Sequence, residues 1–501
     1  MKRFHLYLLS LILVQQSMSS QALYKREWGT LLPVYKTKIV PFTKADKLIR
    51  TPFMIAEVDE KTEKIYLVGL DGNDIYEYEP ENAIPKLIYK IPENDSGSSY
   101  IEQIKLDHEN NLIISGRTTN EFLSTPGAYS QSIIYGESAR ATFLSKISLN
   151  GRLLWCTYFH DLTPHTSHLT IDAENNIYFL NKRNKATIAK PSNFQSNGDS
   201  YSSHEYQDVI SKLNSDGEHV WSTFYTKDAS KIKSIVAGDT GLYIYGDHIG
   251  GASESSYFGT ENSHQPKLHA YQSNSNNLTS VFLSKFDFDG KRLWSTYFSN
   301  NSSSVTLSKT LKNSNSLIVV NDEPYILTTH RRGPNSDKVL ATTNAYITDP
   351  KKSPVNTTIS KFSSDGNRLW TTFIETGEHL FSNGNELFVS ASILNPSNKN
   401  EEFKTTKNAY QKSHGGNRQD AYTAIYSLDG QQLKYASFYG YDGTDEGVTL
   451  PTKTGYYIIG KTNFNPSSKS LFVTKNAPKA DYLEFNQNYL GDFLSYFKRK
   501  K

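Results

Sequence analysis

All five tryptophans of this 501-residue chain stand in the same slot of one recurring phrase. It runs Leu153-Leu154-Trp155-Cys156-Thr157-Tyr158-Phe159, then His219-Val220-Trp221-Ser222-Thr223-Phe224-Tyr225. It returns as Arg292-Leu293-Trp294-Ser295-Thr296-Tyr297-Phe298 and Arg368-Leu369-Trp370-Thr371-Thr372-Phe373-Ile374, and an outlying copy, Glu27-Trp28-Gly29-Thr30-Leu31-Leu32, lies near the start. Scattered tryptophans would mark five separate core sites. Tryptophans in register mark one structural unit used repeatedly. The internal copies are 66, 73 and 76 residues apart (155 to 221, 221 to 294, 294 to 370), a period that belongs to arrays of supersecondary units.

Each copy opens with Ser-Lys and an apolar residue, as in Ser145-Lys146-Ile147, Ser284-Lys285-Phe286 and Ser360-Lys361-Phe362, and passes through a glycine turn: Asn150-Gly151, Asp216-Gly217, Asp289-Gly290 and Asp365-Gly366. Such turns between β-rich runs are a strong hairpin signal. A further copy keeps Asp429-Gly430 but places Lys434 where tryptophan is expected. A second hairpin precedes each of these, ending in runs such as Leu112-Ile113-Ile114-Ser115-Gly116 and Tyr456-Tyr457-Ile458-Ile459-Gly460. Connectors such as Thr125-Pro126-Gly127-Ala128-Tyr129 and Thr343-Asn344-Ala345-Tyr346 join the two hairpins. Four strands per unit predict an all-β chain folded as a single β-propeller.

Counting gives seven blades, near residues 52–91, 101–159, 168–226, 234–299, 310–375, 379–439 and 447–498. The last is one strand short, and what it lacks is the tryptophan strand. The copy at 26–33 is therefore expected to pair with the C-terminal blade and leave no open edge. Alternation places Trp155, Thr157 and Phe159 on one face and Leu154, Cys156 and Tyr158 on the other. Both faces are largely apolar, so the tryptophans read as packing between blades rather than as ligand-stacking platforms.

Residues 1–20 carry Lys2 and Arg3, an apolar run from Leu6 to Val14 and small residues Ser17, Ser19 and Ser20. This reads as a secretory signal peptide, with the propeller occupying 21–501. No later segment has the apolar length of a membrane-spanning helix. The single cysteine, Cys156, fills the small-residue slot held elsewhere by Gly29, Ser222, Ser295 and Thr371, which points to packing. Formal charge is +3, and removal of Lys2 and Arg3 with the signal leaves about +1. A nucleic-acid partner, which would want a basic face, is not indicated. A monomer of the cell envelope, periplasmic or secreted, is expected.

The stretch Phe282-Leu283-Ser284-Lys285-Phe286-Asp287-Phe288-Asp289-Gly290-Lys291-Arg292-Leu293-Trp294-Ser295-Thr296-Tyr297-Phe298 resembles the bacterial β-propeller repeat (SBBP-type) family. The connector Thr125-Pro126-Gly127-Ala128-Tyr129 is similar to that family's linking segment, as are the joints Gly415-Gly416 and Gly440-Tyr441-Asp442-Gly443-Thr444-Asp445-Glu446. The resemblance covers most of residues 101–478. It implies an exported propeller of Bacteroidetes-like envelopes and supplies no catalytic residues.

The function expected is therefore a non-enzymatic binding or scaffold module whose partner is a protein or glycan of the envelope. The alternative is a lectin or carbohydrate-active enzyme with a pocket at the propeller axis. A quinoprotein-like oxidoreductase is more remote, because such sites usually use a vicinal disulfide and one cysteine cannot form it. Asp442, Asp445 and Glu446 offer oxygen ligands that suit Ca²⁺ loosely, whereas His160, His165 and His168 read as surface-loop histidines before metal ligands. Otherwise no cofactor is indicated. Arg331 and Arg332, beside His330, could hold an anion. The longest excursions, Asn184–Gln207, Ile249–Ser280 and His330–Asn356, lie between second and third strands. They are expected to build one recognition face that includes Tyr271, Arg331 and Arg332.

Overall fold

The computed structural model describes residues 22–32, 55–69, 72–92, 98–133, 141–159, 169–183, 194–195, 207–226, 230–250, 256–267, 278–298, 315–329, 341–353, 356–395, 403–416, 418–441, 443–464, 472, 483–485 and 488–500. These residues are all-β apart from short turns, as the repeat predicts. The first strand, β1 (Tyr24–Leu31), precedes the seven units in the chain. Unit one comprises β2 (Ala56–Val58), β3 (Ile65–Val68), β4 (Asp74–Glu79) and β5 (Asn82–Lys90). Unit two has β6 (Ser99–Leu106), β7 (Asn111–Thr118), β8 (Ala141–Ser148) and β9 (Leu153–Phe159). Unit three has β10 (Leu169–Ile171), β11 (Ile177–Arg183), β12 (Gln207–Leu213) and β13 (His219–Phe224).

Unit four has β14 (Lys231–Ala237), β15 (Leu242–Gly250), β16 (Leu278–Phe286) and β17 (Arg292–Phe298). Unit five has β18 (Leu317–Val320), β19 (Glu323–Thr329), β20 (Thr357–Phe362) and β21 (Arg368–Ile374). Each of these five units is a separate four-stranded antiparallel sheet in chain order. The remaining strands are β22 (His379–Ser382), β23 (Glu386–Leu394), β24 (Gln419–Ser427), β25 (Leu433–Tyr439), β26 (Thr444–Pro451), β27 (Gly455–Phe464), β28 (Leu483–Phe485) and β29 (Asn488–Arg499). They form one nine-stranded sheet with β1, joined in its middle by a single parallel bridge, Gln419 to Thr444. On either side of that bridge lie unit six, β22–β25, and unit seven, β26-β27-β29-β1.

β1 pairs antiparallel with β29, setting Trp28 opposite Tyr496 and Leu31 opposite Phe493. The outlying tryptophan strand therefore supplies the fourth strand of the C-terminal unit. Apolar clusters then lie between successive units. One cluster joins Tyr66 and Ile75 of unit one to Leu112 and Phe143 of unit two. Another joins Trp28, Leu450 and Tyr457 of unit seven to Ile65, Leu67 and Tyr78 of unit one.

The tryptophans explain why the turn glycines repeat with them. The indole Nε1–H of Trp155 donates to Ser215 O (3.1 Å), that of Trp221 to Phe288 O (3.0 Å) and that of Trp294 to Ser364 O (2.9 Å). Each acceptor lies in the glycine turn of the following unit. The glycine of that turn lies on the ring: a Cβ added at Gly217 would sit 2.7 Å from Trp155, and one at Gly430 2.5 Å from Trp370. Gly290 and Gly366 meet Trp221 and Trp294 in the same way. Gly151 follows unit one, which has no tryptophan, and rests on the Ile88 carbonyl instead. Trp28 completes the series across the chain ends, donating to Pro80 O at 2.9 Å.

One sequence expectation is corrected. Tyr435, not Lys434, occupies the tryptophan slot of unit six: it pairs with Ile425 as Trp155 pairs with Lys146 and Trp294 with Lys285. The turn after Gly430 is one residue longer and shifts the reading. The substitution has a physical reason. In unit seven the third and fourth strands come from opposite ends of the chain, so no glycine turn exists for an indole to underlie. Tyr435 packs edge-on to Tyr24 at 4.9 Å, and its hydroxyl accepts from Tyr410 N–H at 3.1 Å.

The connectors between second and third strands form clips along the outer edge of the fourth strand. Thr125 N–H donates to Cys156 O while its Oγ1 accepts from Cys156 N–H. Thr260 does the same to Ser295, Thr342 to Thr371 and Thr406 to Ala436. Five residues on, the carbonyls of Ser130, Gln265, Ile347 and Gln411 accept from the same outer strands. Each clip turns on a bond from residue i+3 back to the threonine carbonyl, as Ala345 N–H gives to Thr342 O. Edges that would invite foreign strands are thereby closed. Cys156 lies beneath its clip, where burial pushes its thiol up to about 12 and leaves it protonated.

Gly366→Ala is expected to cost more stability than Gly127→Ala. Both glycines have left-handed φ (+90° and +83°), but a Cβ at Gly366 meets Trp294 at 2.8 Å, whereas one at Gly127 meets nothing within 4 Å. The shared backbone penalty is about 1 kcal/mol, and overpacking adds about 1–3 kcal/mol at Gly366 alone. Equal losses in chemical denaturation would show that the indole does not depend on that glycine.

Candidate functional site

The face each unit turns toward the next is apolar at most seams. Leu180 and Ile210 pack on unit four, Leu327 and Ile359 on unit six, Ile459 and Leu494 on unit one. At the equivalent level unit six presents a polar row. His379 pairs with Ser390, and Ser390 with Thr423, whose Oγ1 lies 2.6 Å from Thr449 Oγ1 of unit seven. Val448 follows the usual apolar pattern on β26, so the change comes chiefly from unit six.

Carboxylates surround the start of this row. Glu378, just before β22, donates its N–H to Ser390 O (2.9 Å) and accepts at Oε2 from Ser392 N–H (3.1 Å). Ser392 Oγ accepts in turn from Gly447 N–H of unit seven at 3.4 Å. Burial, with the Glu446 carboxylate adding to it, raises Glu378 to about 7, so at neutral pH this acid is part protonated. His379 is held down at about 4 by burial. Its Nδ1 accepts from Asn315 N–H at 3.2 Å, so the neutral ring carries its proton on Nε2. That Nε2–H and Ser390 Oγ are buried without a partner among the described residues, the condition under which a water or ligand group is expected.

Asp420 and Asp445 lie fully buried in the same joint. Asp420 Oδ2 accepts from Gly415 N–H (2.6 Å) and Gln411 Nε2–H (3.2 Å), while Oδ1 lies 3.8 Å from His414 Nδ1. Asp445 spends both oxygens internally, on Tyr441 N–H (2.6 Å) and the Thr462 hydroxyl (2.5 Å). Asp442 lies outside the described residues. Of the proposed Ca²⁺ ligands, then, Asp445 has both oxygens engaged and Glu446 faces Glu378. Among the described residues no group of three His, Cys, Asp or Glu is placed to hold a metal. Tyr271, Arg331, Arg332, His160, His165, His168 and His330 also lie outside the described residues. Of the three long excursions, the described stretches around Gln195, Thr260–Gln265 and Thr342–Ile347 bond to their own outer strands.

The start of the first strand differs from unit to unit. In unit four Lys231 pairs with Asp247, and Lys233 reaches Asp247 at 3.4 Å; burial raises Asp247 to about 6. In unit two Tyr100 pairs with Arg117, whose Nε donates to Glu102 at 2.6 Å. In unit seven Glu446 pairs with Lys461. Sequence reasoning missed this position because its residues are spread one position per unit and share no motif.

No family model matches the chain, and no curated protein matches it. Solved structures do. Polysaccharide lyase Uly1 is 8% identical with a TM-score of 0.44, over 96% of this chain and 98% of that one. A puromycin-hydrolyzing peptidase of Mycobacterium tuberculosis is 8% identical with a TM-score of 0.39, over 85% of this chain and 52% of that one. The quinohemoprotein alcohol dehydrogenase of Comamonas testosteroni is 10% identical at 0.37, over 86% and 65%. The chain thus spans about half the length of the peptidase. At these values the likenesses name no chemistry for this chain.

Glu378 generates a pH prediction. Its folded value of about 7 lies above its ordinary value of 4.5. The folded state therefore holds the proton more tightly, and stability falls as pH rises between those two values. Replacing it by glutamine should flatten that fall in denaturation series between pH 4.5 and pH 7. An undiminished fall in Glu378→Gln would assign the dependence to the other burial-raised carboxyl groups, Asp247, Glu375 and Asp420.

Proposed function

We propose that the seven units form a seven-bladed β-propeller closed by β1, and that the protein is an exported, non-enzymatic binding module of the cell envelope. The unbroken series of inter-unit clusters, including the one from unit seven back to unit one, supports the ring. The observation that carries the binding reading is the contrast between a uniform frame and a variable position upon it. Clips, indoles and turns repeat, whereas the first-strand starts carry Tyr100/Arg117, Lys231/Asp247, Glu378/Ser392 and Glu446/Lys461. Recognition needs such diversity on a rigid scaffold. The joint of units six and seven offers carboxylate acceptors, one acid proton and a buried imidazole N–H, which suits a hydroxyl-rich glycan.

A second reading rests on Glu378 itself. A carboxyl group raised to about 7 beside a second carboxylate is the arrangement that general-acid cleavage of glycans employs. Glycan-array binding followed by product analysis separates the two. The binding reading expects capture without turnover, weakened about tenfold by Glu446→Gln through loss of a charged hydrogen bond. Release of new sugar ends, abolished by Glu378→Gln, would establish the enzyme instead. Binding untouched by both changes but lost in Lys231→Ala would move the site to unit four. Export is tested by N-terminal sequencing of the mature protein, with Gln21 expected first.

A further inference from the structure

Among the described residues, unit one lacks the clip that units two, four, five and six use. β3 ends at Val68 and β4 begins at Asp74, a tight hairpin in which Gly69 N–H donates to Asp74 O. Too little chain remains there for a six-residue clip. Among the described residues β5 pairs with β4 alone, and nothing runs along its outer edge. The register shows which residue is left uncovered. Tyr66 pairs with Glu77 as Tyr178 pairs with Lys212, Tyr243 with Lys285 and Tyr325 with Lys361. Tyr76 and its partner Leu87 therefore stand at the level of Ser211/Ser222, Ser284/Ser295 and Ser360/Thr371.

That slot is small and buried wherever a clip crosses it: Cys156 is 2% exposed, and Ser295, Thr371 and Ala436 are 0% exposed. At Gly29 even a Cβ would strike the Phe472 carbonyl at 2.4 Å. Leu87 breaks the pattern twice, being large and 53% exposed, with Ile84 at 62% on the same strand. Lys86 beside it is exposed and only distantly paired, at 3.7 Å from Glu77. Pro85 lacks an N–H and limits how far a foreign strand can pair, which guards against indefinite edge-to-edge growth.

We propose that the outer edge of β5 is a docking site for an extended segment of a partner protein, which takes the place of the missing clip. The four complete clips among the described residues define the chemistry of that segment. It begins with a threonine or serine whose N–H and hydroxyl both bond to the backbone of Leu87, it bends through a four-residue turn, and it rejoins the strand five residues later. Apolar side chains on it cover Ile84 and Leu87, and a carboxylate on it meets Lys86. This is strand addition at a sheet edge, with backbone bonds supplying affinity and the exposed side chains specificity.

The probe is a fluorescein-labelled peptide of residues 341–350, one of the chain's own clips, which contains Thr342, Ile347 and Asp349. Its anisotropy is measured against the full-length chain. Saturable binding of one peptide per chain is expected. Leu87→Pro, which removes the N–H at that position, and Thr342→Val in the peptide should each weaken it about tenfold. In a variant with residues 123–133 inserted between Val68 and Asp74, the edge is sealed in cis and binding should vanish. That variant decides the matter if Leu87→Pro fails to fold. Absence of saturable binding, or binding that survives the sealed variant, overturns the proposal. A chain dimer that dissociates in the sealed variant and that the peptide cannot displace would assign the edge to a second copy and overturn the partner.

Discussion

The indole beneath the next unit's turn is the contact on which the rest of this architecture depends. A four-stranded sheet has two faces to bury and two edges to protect, and it cannot do either alone. The tryptophan strand buries its ring against the following unit and fixes the spacing there with one N–H bond to a turn carbonyl, at 2.9 Å for Trp294 and 3.1 Å for Trp155. Only a glycine lets that turn approach so closely, since any Cβ at Gly366 would enter the ring. Trp28→Ala illustrates the scale. It removes a buried ring that packs on Tyr78, Tyr457 and Tyr496, and its expected cost is about 3–5 kcal/mol by urea denaturation. A much smaller loss would mean that β1 is held by its backbone ladder alone.

The clips solve the second half of the problem. A threonine can imitate a strand residue, because its N–H donates and its hydroxyl accepts at one backbone position. Thr125, Thr260, Thr342 and Thr406 all use it in this way. The small-residue slot beneath them follows from that crossing, so cysteine, serine, threonine, alanine and glycine are interchangeable there. Leucine is not, and it occurs only where the clip is missing.

How much of this was legible in the sequence depended on whether a residue answers to its own unit or to a neighbour. The turn glycines and tryptophans repeat because every unit imposes the same local geometry, and the spare strand at Trp28 could be matched to its vacancy by counting. Tyr435 was misread because one extra residue after Gly430 shifted a strand that pairing alone could realign. The connectors were visible as a motif, but their bonds to the outer strand join residues about 30 positions apart and leave no periodic trace. The joint of units six and seven was invisible for a related reason. Ser390 and Thr423 look like ordinary strand residues until the register sets them where unit three carries Leu180 and Ile210 and unit five Leu327 and Ile359.

Departures from the repeat collect where the chain's two ends meet. Unit seven is assembled from both termini, so unit six has no glycine turn to receive an indole and uses Tyr435 instead. Its seam with unit seven also carries the polar row of Ser390 and Thr423, and carboxylates gather there. Unit one, which receives the Trp28 N–H at Pro80 O, has no clip among the described residues. An array of equal repeats cannot vary one member without disturbing the latch it shares with its neighbours. The units beside the β1–β29 pairing are released from that constraint, because their contacts are made by unrelated residues such as Tyr24, Pro80 and Arg499, which reaches Glu386 at 3.3 Å.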